Sequence, residues 1–174
     1  VEGVLGDAMK LDLAYGDIFF SENPQSLGKV INFFQTVKAP DDESSATHSG
    51  IIQSPYGKTI EAVWKITEQD LYEAYKGVRV CVMRWRYMTE LRYGMGMGEI
   101  RGHLGESYPY FRLLLHAVGL AKYVHWRTPV CSELTAKFLM GAGERKNWWG
   151  WTPDALYDSI YKNREWDLVH EGVL

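Results

Sequence analysis

Apolar and polar positions along the chain follow two periods, and most elements can be placed from them. Residues 15–20 (YGDIFF) predict a strand entered through a Gly-Asp turn. Leu27, Val30, Ile31 and Phe34 recur at helical spacing, with Ser26 as a cap. Residues 39–46 (APDDESSA) form a polar loop. Residues 47–53 predict a short strand, 54–58 (SPYGK) a turn and 59–64 the returning strand of a hairpin. Thr67, followed by Glu68, Gln69 and Asp70, predicts the start of a short helix running to about Lys76. Gly77 then leads into an alternating strand that carries Cys81. Residues 89–105, rich in glycine and methionine, fit either a short helix or a mobile flap. Residues 110–119 predict a helix. A second one follows Cys131, with Leu134, Phe138 and Leu139 on its apolar face and Gly141 and Gly143 as its stop. Trp148, Trp149 and Trp151 mark an aromatic loop, Thr152-Pro153-Asp154 opens a final helix, and residues 166–170 suit one more strand.

This order predicts an α+β arrangement, a small and mostly antiparallel sheet with helices segregated around it. Neither a Pro/Gly/Ser-rich linker nor a repeat divides the sequence, so residues 1–174 are expected to form one domain.

Composition narrows the function classes. The chain has 174 residues, 46% hydrophobic and 24% charged, which suits a globular protein with a real core. A net charge of −3 and the absence of a basic run argue against a nucleic-acid partner. No apolar stretch is long enough to span a bilayer. The start Val1-Glu2-Gly3 is neither a signal peptide nor an initiating Met, which fits a processed chain or one cut from a longer protein. Compartment and oligomeric state are left open. Two cysteines are too few for a disulfide framework; a Cys81–Cys131 bridge is possible, but a small core residue is the simpler reading of Cys81.

The candidate chemistry centres on Cys131. In Thr128-Pro129-Val130-Cys131-Ser132-Glu133-Leu134 a proline-led turn opens a helix. A thiol in a first helical turn meets unpaired N–H groups and the positive end of the helix dipole, and both favour thiolate. A base is available upstream in Thr47-His48-Ser49-Gly50-Ile51, on the first hairpin strand. Glu61 lies on the second strand, where it can share a face with His48 and orient the imidazole. Cys131 as nucleophile, His48 as base then acid, and Glu61 as orienter make a unit for acyl transfer. Backbone N–H groups at the helix start, that of Cys131 included, would hold the oxyanion.

The segments GDIFF, THSGII, IEAV, VCSEL and TPDALYDS, in that order, resemble the circularly permuted papain-like hydrolases of the NlpC type, in particular their YiiX-like branch. The resemblance spans about residues 15–159 and implies that the histidine strand precedes the cysteine helix. It implies a small antiparallel sheet against helices, and a cysteine peptidase or amidase that needs no cofactor. It implies a peptide or acyl-amide substrate, such as a peptidoglycan peptide, cut through an acyl-enzyme. An acyltransferase of the lecithin retinol acyltransferase type is the neighbouring alternative, because its chemistry is identical up to the acyl-enzyme. A non-catalytic interaction module keeping the fold is the alternative from another class.

Each residue also has a plainer reading. Cys131 alone would be a buried helix cysteine, His48 a strand histidine with one hydrogen bond, and Glu61 a solvated strand residue or ion-pair partner. Asp17 reads as the anchor of the strand-entry turn, Tyr15 as a packing tyrosine, and Glu133 as a helix-dipole or ion-pair residue. His103, His116 and His125 show no zinc-ligand spacing, so no metal is expected. The tryptophan cluster reads as the cap of a core edge.

Overall fold

The computed structural model describes residues 11–21, 46–107 and 128–174. Among them six strands form one antiparallel sheet: β1 (Ile18–Ser21), β2 (His48–Ile52), β3 (Lys58–Ala62), β4 (Ile66–Asp70), β5 (Arg79–Trp85) and β6 (Trp166–Val173). Their order across the sheet is β4-β3-β2-β1-β5-β6. The described helices are α1 (Leu71–Ala74), α2 (Glu90–Ile100), α3 (Cys131–Gly141) and α4 (Pro153–Tyr161). The predicted helices around Leu27 to Phe34 and at 110–119, and nearly all of the predicted polar loop, lie outside the described residues.

Alternation gives the sheet two apolar faces. Ile18, Phe20, Ile51, Ile60, Cys81 and Met83 face one layer, packed with Met97, Ile100, Leu134, Phe138, Leu139, Leu156 and Ile160 from the three longer helices. Phe19, Ile52, Val80 and Val82 face the other way and pack with Leu13, Leu71 and Tyr75. Cys81 is a buried residue of the first layer, as its sequence setting suggests, and both cysteines are free.

One predicted element needs correction, and one open alternative is resolved. Residues 66–70 are a strand, not the first turn of a helix. Thr67 to Gln69 bond to the exposed side of β3, with Glu61 opposite Thr67 and Thr59 opposite Gln69, so ladder bonds outweigh a helix-start composition. The cap is Asp70 instead, whose carboxylate accepts from the N–H of Tyr72 and Glu73 and starts the one-turn α1. The glycine- and methionine-rich stretch is a helix, capped by Thr89. Its glycines allow close contact between helices. A Cβ at Gly96 would lie 2.7 Å from the carbonyl oxygen and ring of Phe138, and one at Gly141 would lie 3.0 Å from the Cα of Gly96. We expect Gly96→Ala to force α2 from α3 and cost about 2 kcal/mol in urea unfolding. A loss under half of that would mean that the contact is not tight.

Candidate active site

The hairpin positions two of the three candidate side chains. His48 is the first residue of β2, and alternation puts it on the same face as Gly50 and Ile52. Gly50 stands opposite Glu61 and Ile52 opposite Thr59, so Glu61 and Thr59 share that face. The result is a hydrogen bond of 2.7 Å between His48 Nε2 and Glu61 Oε2. Gly50 is required here for space. A Cβ on it would lie 2.5 Å from the Phe19 ring and 3.0 Å from the Glu61 Cβ.

Glu61 is 0% exposed and is solvated by protein donors instead of water. The Thr59 hydroxyl donates to Oε1 at 2.8 Å. The Tyr75 hydroxyl donates to Oε2, the oxygen already bonded to His48. Burial pushes the Glu61 carboxyl up. The hydrogen bond and charge of His48, with the hydroxyls of Tyr75 and Thr59, outweigh it and hold the group below the ordinary range.

Cys131 arrives from the opposite layer. Thr128, Pro129 and Val130 lead in as extended chain, and Cys131 is the first residue of α3. That helix packs on the face that carries Ser49 and Ile51, away from His48. The two faces meet because the β2–β3 ladder runs only from Gly50↔Glu61 to Ile52↔Thr59. Ser49 is not paired with β3, and its N–H turns to the Cys131 sulfur, together with the N–H of Ser132. The sulfur thereby comes close to His48, and each group acts on the other's proton. Nε2 is engaged by Glu61, which leaves Nδ1 free of that carboxylate. Ser49 Oγ and Thr135 Oγ1 are 3.1 Å apart, and Thr135 Oγ1 donates to the Cys131 carbonyl at 3.1 Å, so strand and helix are tied beside the sulfur.

The three candidate residues are therefore brought together, all of them buried: Cys131 is 2%, His48 3% and Glu61 0% exposed. Burial opposes charge on His48. The charge and hydrogen bond of Cys131, joined by those of Glu61, reverse this and raise the imidazole to about 10. Burial likewise pushes the Cys131 thiol up, yet His48 and the two N–H groups bring it below its usual value. Each group thus favours the charged form of the other. Cys81 is the opposite case: burial and the nearby Glu171 push its thiol up to about 12.

No family model and no curated protein matches this sequence. Among solved structures, the crystal structure of the metalloprotein yiiX from Escherichia coli O157:H7 superposes with a TM-score of 0.64 at 14% identity, covering 94% of this chain and 99% of that one. The fold is yiiX-like. Identity at this level speaks for the fold alone.

Sequence reasoning missed Tyr75, Thr59 and the Ser49 N–H. Thr59 was within reach, since it lies two residues before Glu61 on the same strand face. Tyr75 lies far from the candidate motifs in sequence, and nothing local marks its hydroxyl as a partner of Glu61. Asp17 does anchor the strand entry: its Oδ2 accepts from the Ala14 N–H at 2.8 Å, and Arg84 binds both its oxygens at 2.8 Å. Glu133 accepts from the N–H of Val130 and of Gly150, which ties the helix start to the tryptophan loop. Trp148 and Trp151 of that loop pack on the core edge, and Tyr15 packs on Tyr93. His103 stands between Glu106 at 3.0 Å and Lys137 at 2.7 Å, whereas His116 and His125 lie outside the described residues.

Proposed function

We propose that the chain is a papain-like cysteine hydrolase of the permuted NlpC type, acting on an amide or related acyl bond. One observation carries this reading: Cys131, His48 and Glu61 are buried together, His48 is bonded to Glu61, and the His48 charge draws the Cys131 thiol below its usual value. The Cys131 sulfur adds to the substrate carbonyl carbon, and the oxygen takes the negative charge. Backbone N–H groups at the start of α3 and at Ser49 supply donors beside that centre. His48 passes its Nδ1 proton to the leaving amine as the C–N bond breaks, which leaves a thioester on Cys131. Neutral Nδ1 then takes a proton from water, the resulting hydroxide attacks the thioester, and the acid leaves with the thiolate restored. Glu61 keeps Nε2–H in place throughout. The resemblance makes peptides, peptidoglycan peptides among them, the substrate class.

The name of the yiiX structure speaks of a metal. Among the described residues no group of three or more His, Cys, Asp and Glu side chains is arranged to hold one. Only the Cys131 sulfur and His48 Nδ1 converge, because Glu61 spends its oxygens on three other donors. The described side chains do not fit a metal site.

The shielding of the pair favours a second reading, acyl transfer to an acceptor other than water. A sulfur only 2% exposed meets little bulk solvent. No helix among the described residues is long and apolar enough to cross a membrane.

Both readings pass through an acyl-cysteine, so one experiment tests them. Intact mass and peptide mapping follow incubation with an activated ester, with peptidoglycan fragments or with lipid amides. A single acyl group is expected on Cys131 and none on Cys81. Adding an amine acceptor then separates transfer from hydrolysis. A folded protein with no adduct, or with equal labelling of both cysteines, would return the chain to the class of binding modules.

A further inference from the structure

One side chain at this site has no part in the proposal above. Tyr75, just past α1, is 5% exposed, and its hydroxyl is aimed at a carboxylate that is already bonded to an imidazole. Its ring lies nearly parallel to that of His48, with centroids 6.2 Å apart at 21°, and meets Phe19 edge-on at 5.1 Å. Packing alone would be met by phenylalanine. The hydroxyl needs its own explanation.

We propose that Tyr75 is a positioning residue that makes His48 a stronger acid, by occupying the same Glu61 oxygen that accepts the Nε2–H of His48. This inference rests on the reading of Cys131 and His48 as a working pair. Glu61 and His48 together hold one exchangeable proton. When the imidazole is neutral, Glu61 is a bare charge in an apolar layer and depends most on its hydroxyl donors. When the imidazole is protonated, the cation itself compensates the carboxylate, and the Tyr75 hydroxyl adds less. A donor that favours the deprotonated state more than the protonated one lowers the proton affinity of the two groups as a unit. Removing it must raise that affinity, wherever the proton sits. Burial and the neighbouring Glu61 keep the Tyr75 hydroxyl protonated, so it serves as a donor across the working range.

The groups that bear on this proton are few. Among the described residues, His48 faces Cys131 from α3 and Glu61 from β3. Glu61 faces His48, Thr59 and Tyr75. Tyr75 faces Glu61 and the Ser21 hydroxyl of β1, and feels the Cys131 charge. Tyr75→Phe takes the hydroxyl away from Glu61 and Ser21 and keeps the stacked ring.

The test follows the side-chain nitrogen resonances of His48 against pH in uniformly labelled protein, assigned with His48→Ala. In Tyr75→Phe the imidazolium should lose its proton at a pH higher by roughly one unit than in the unsubstituted chain. A shift of zero or a downward shift, with the fold intact, overturns the role given to Tyr75. The failure of the nucleophile reading looks different: His48 would then be neutral at neutral pH in the unsubstituted protein. Should Tyr75→Phe not fold, the unsubstituted chain still decides. Its Tyr75 hydroxyl proton should exchange slowly and show a nuclear Overhauser contact to the Nε2 proton of His48, and the absence of that contact overturns the proposal.

Discussion

Replacing Cys131 by alanine is expected to abolish turnover of an activated ester, a fall of about 10⁴-fold or more to the background rate, while the melting curve is kept. The change removes the nucleophile and little volume. It also removes the charge and hydrogen bond that, after the opposing effect of burial, are the first causes of the raised His48 value. His48 can then revert toward a neutral ring, so no buried charge is stranded. His48→Ala should cost as much activity, because the thiolate loses its partner and the leaving group its acid. The two act as a unit, so the double variant should be little worse than either one. Ester turnover and calorimetry on the three proteins check this. An active and normally folded Cys131→Ala protein refutes the mechanism.

Glu61→Gln is expected to damage stability more than chemistry. Glu61 is fully buried, and three donors converge on its two oxygens. An amide there turns one acceptor into a donor and leaves the His48 cation without its carboxylate, a change of about 4 kcal/mol for a buried pair. The loss should depend on pH. His48 is raised from 6.5 to about 10, so its contribution is fully present below about 6.5 and vanishes as pH climbs through about 10. Glu61 is lowered from 4.5, so its contribution is present above about 4.5 and is lost as pH falls through its depressed folded value. The difference between the two proteins should be largest between these limits, near pH 5 to 6.5, and shrink on both sides. Urea unfolding at three pH values measures it. A loss below about 1 kcal/mol, or one that ignores pH, would mean that the pair is not charged. Some turnover should survive in Glu61→Gln, since thiolate and imidazolium can pair without a carboxylate.

Much of this was legible because period and spacing are local properties. The hairpin from His48 to Ala62, the strand through Cys81, the helix after Cys131 and the Thr152-Pro153 start all announce themselves within a dozen residues. His48, Glu61 and Cys131 could be named because each sits in such an element. What escaped was set by partners elsewhere in the chain. Residues 66–70 are a strand because β3 offers them an edge. Gly96 of α2 is explained by Phe138, some forty positions later. Tyr75 gains its meaning only from Glu61, which the fold places beside it. The Ser49 N–H became a donor only because the β2–β3 ladder stops one residue short of it.

That early end of the ladder has a consequence for how the protein is made. His48, Glu61 and Tyr75 are synthesised early and meet on one side of the sheet, whereas Cys131 comes late on a helix bound to the other side. The sulfur gains its imidazole only after both layers have docked, a long-range event that comes after the local hairpin. A nascent or partly unfolded chain thus carries an ordinary thiol, and its reactivity is withheld until folding is finished. On the proposed mechanism, the lowered thiol of Cys131 then becomes a mark of complete folding, and a molecule with either layer loosened loses it.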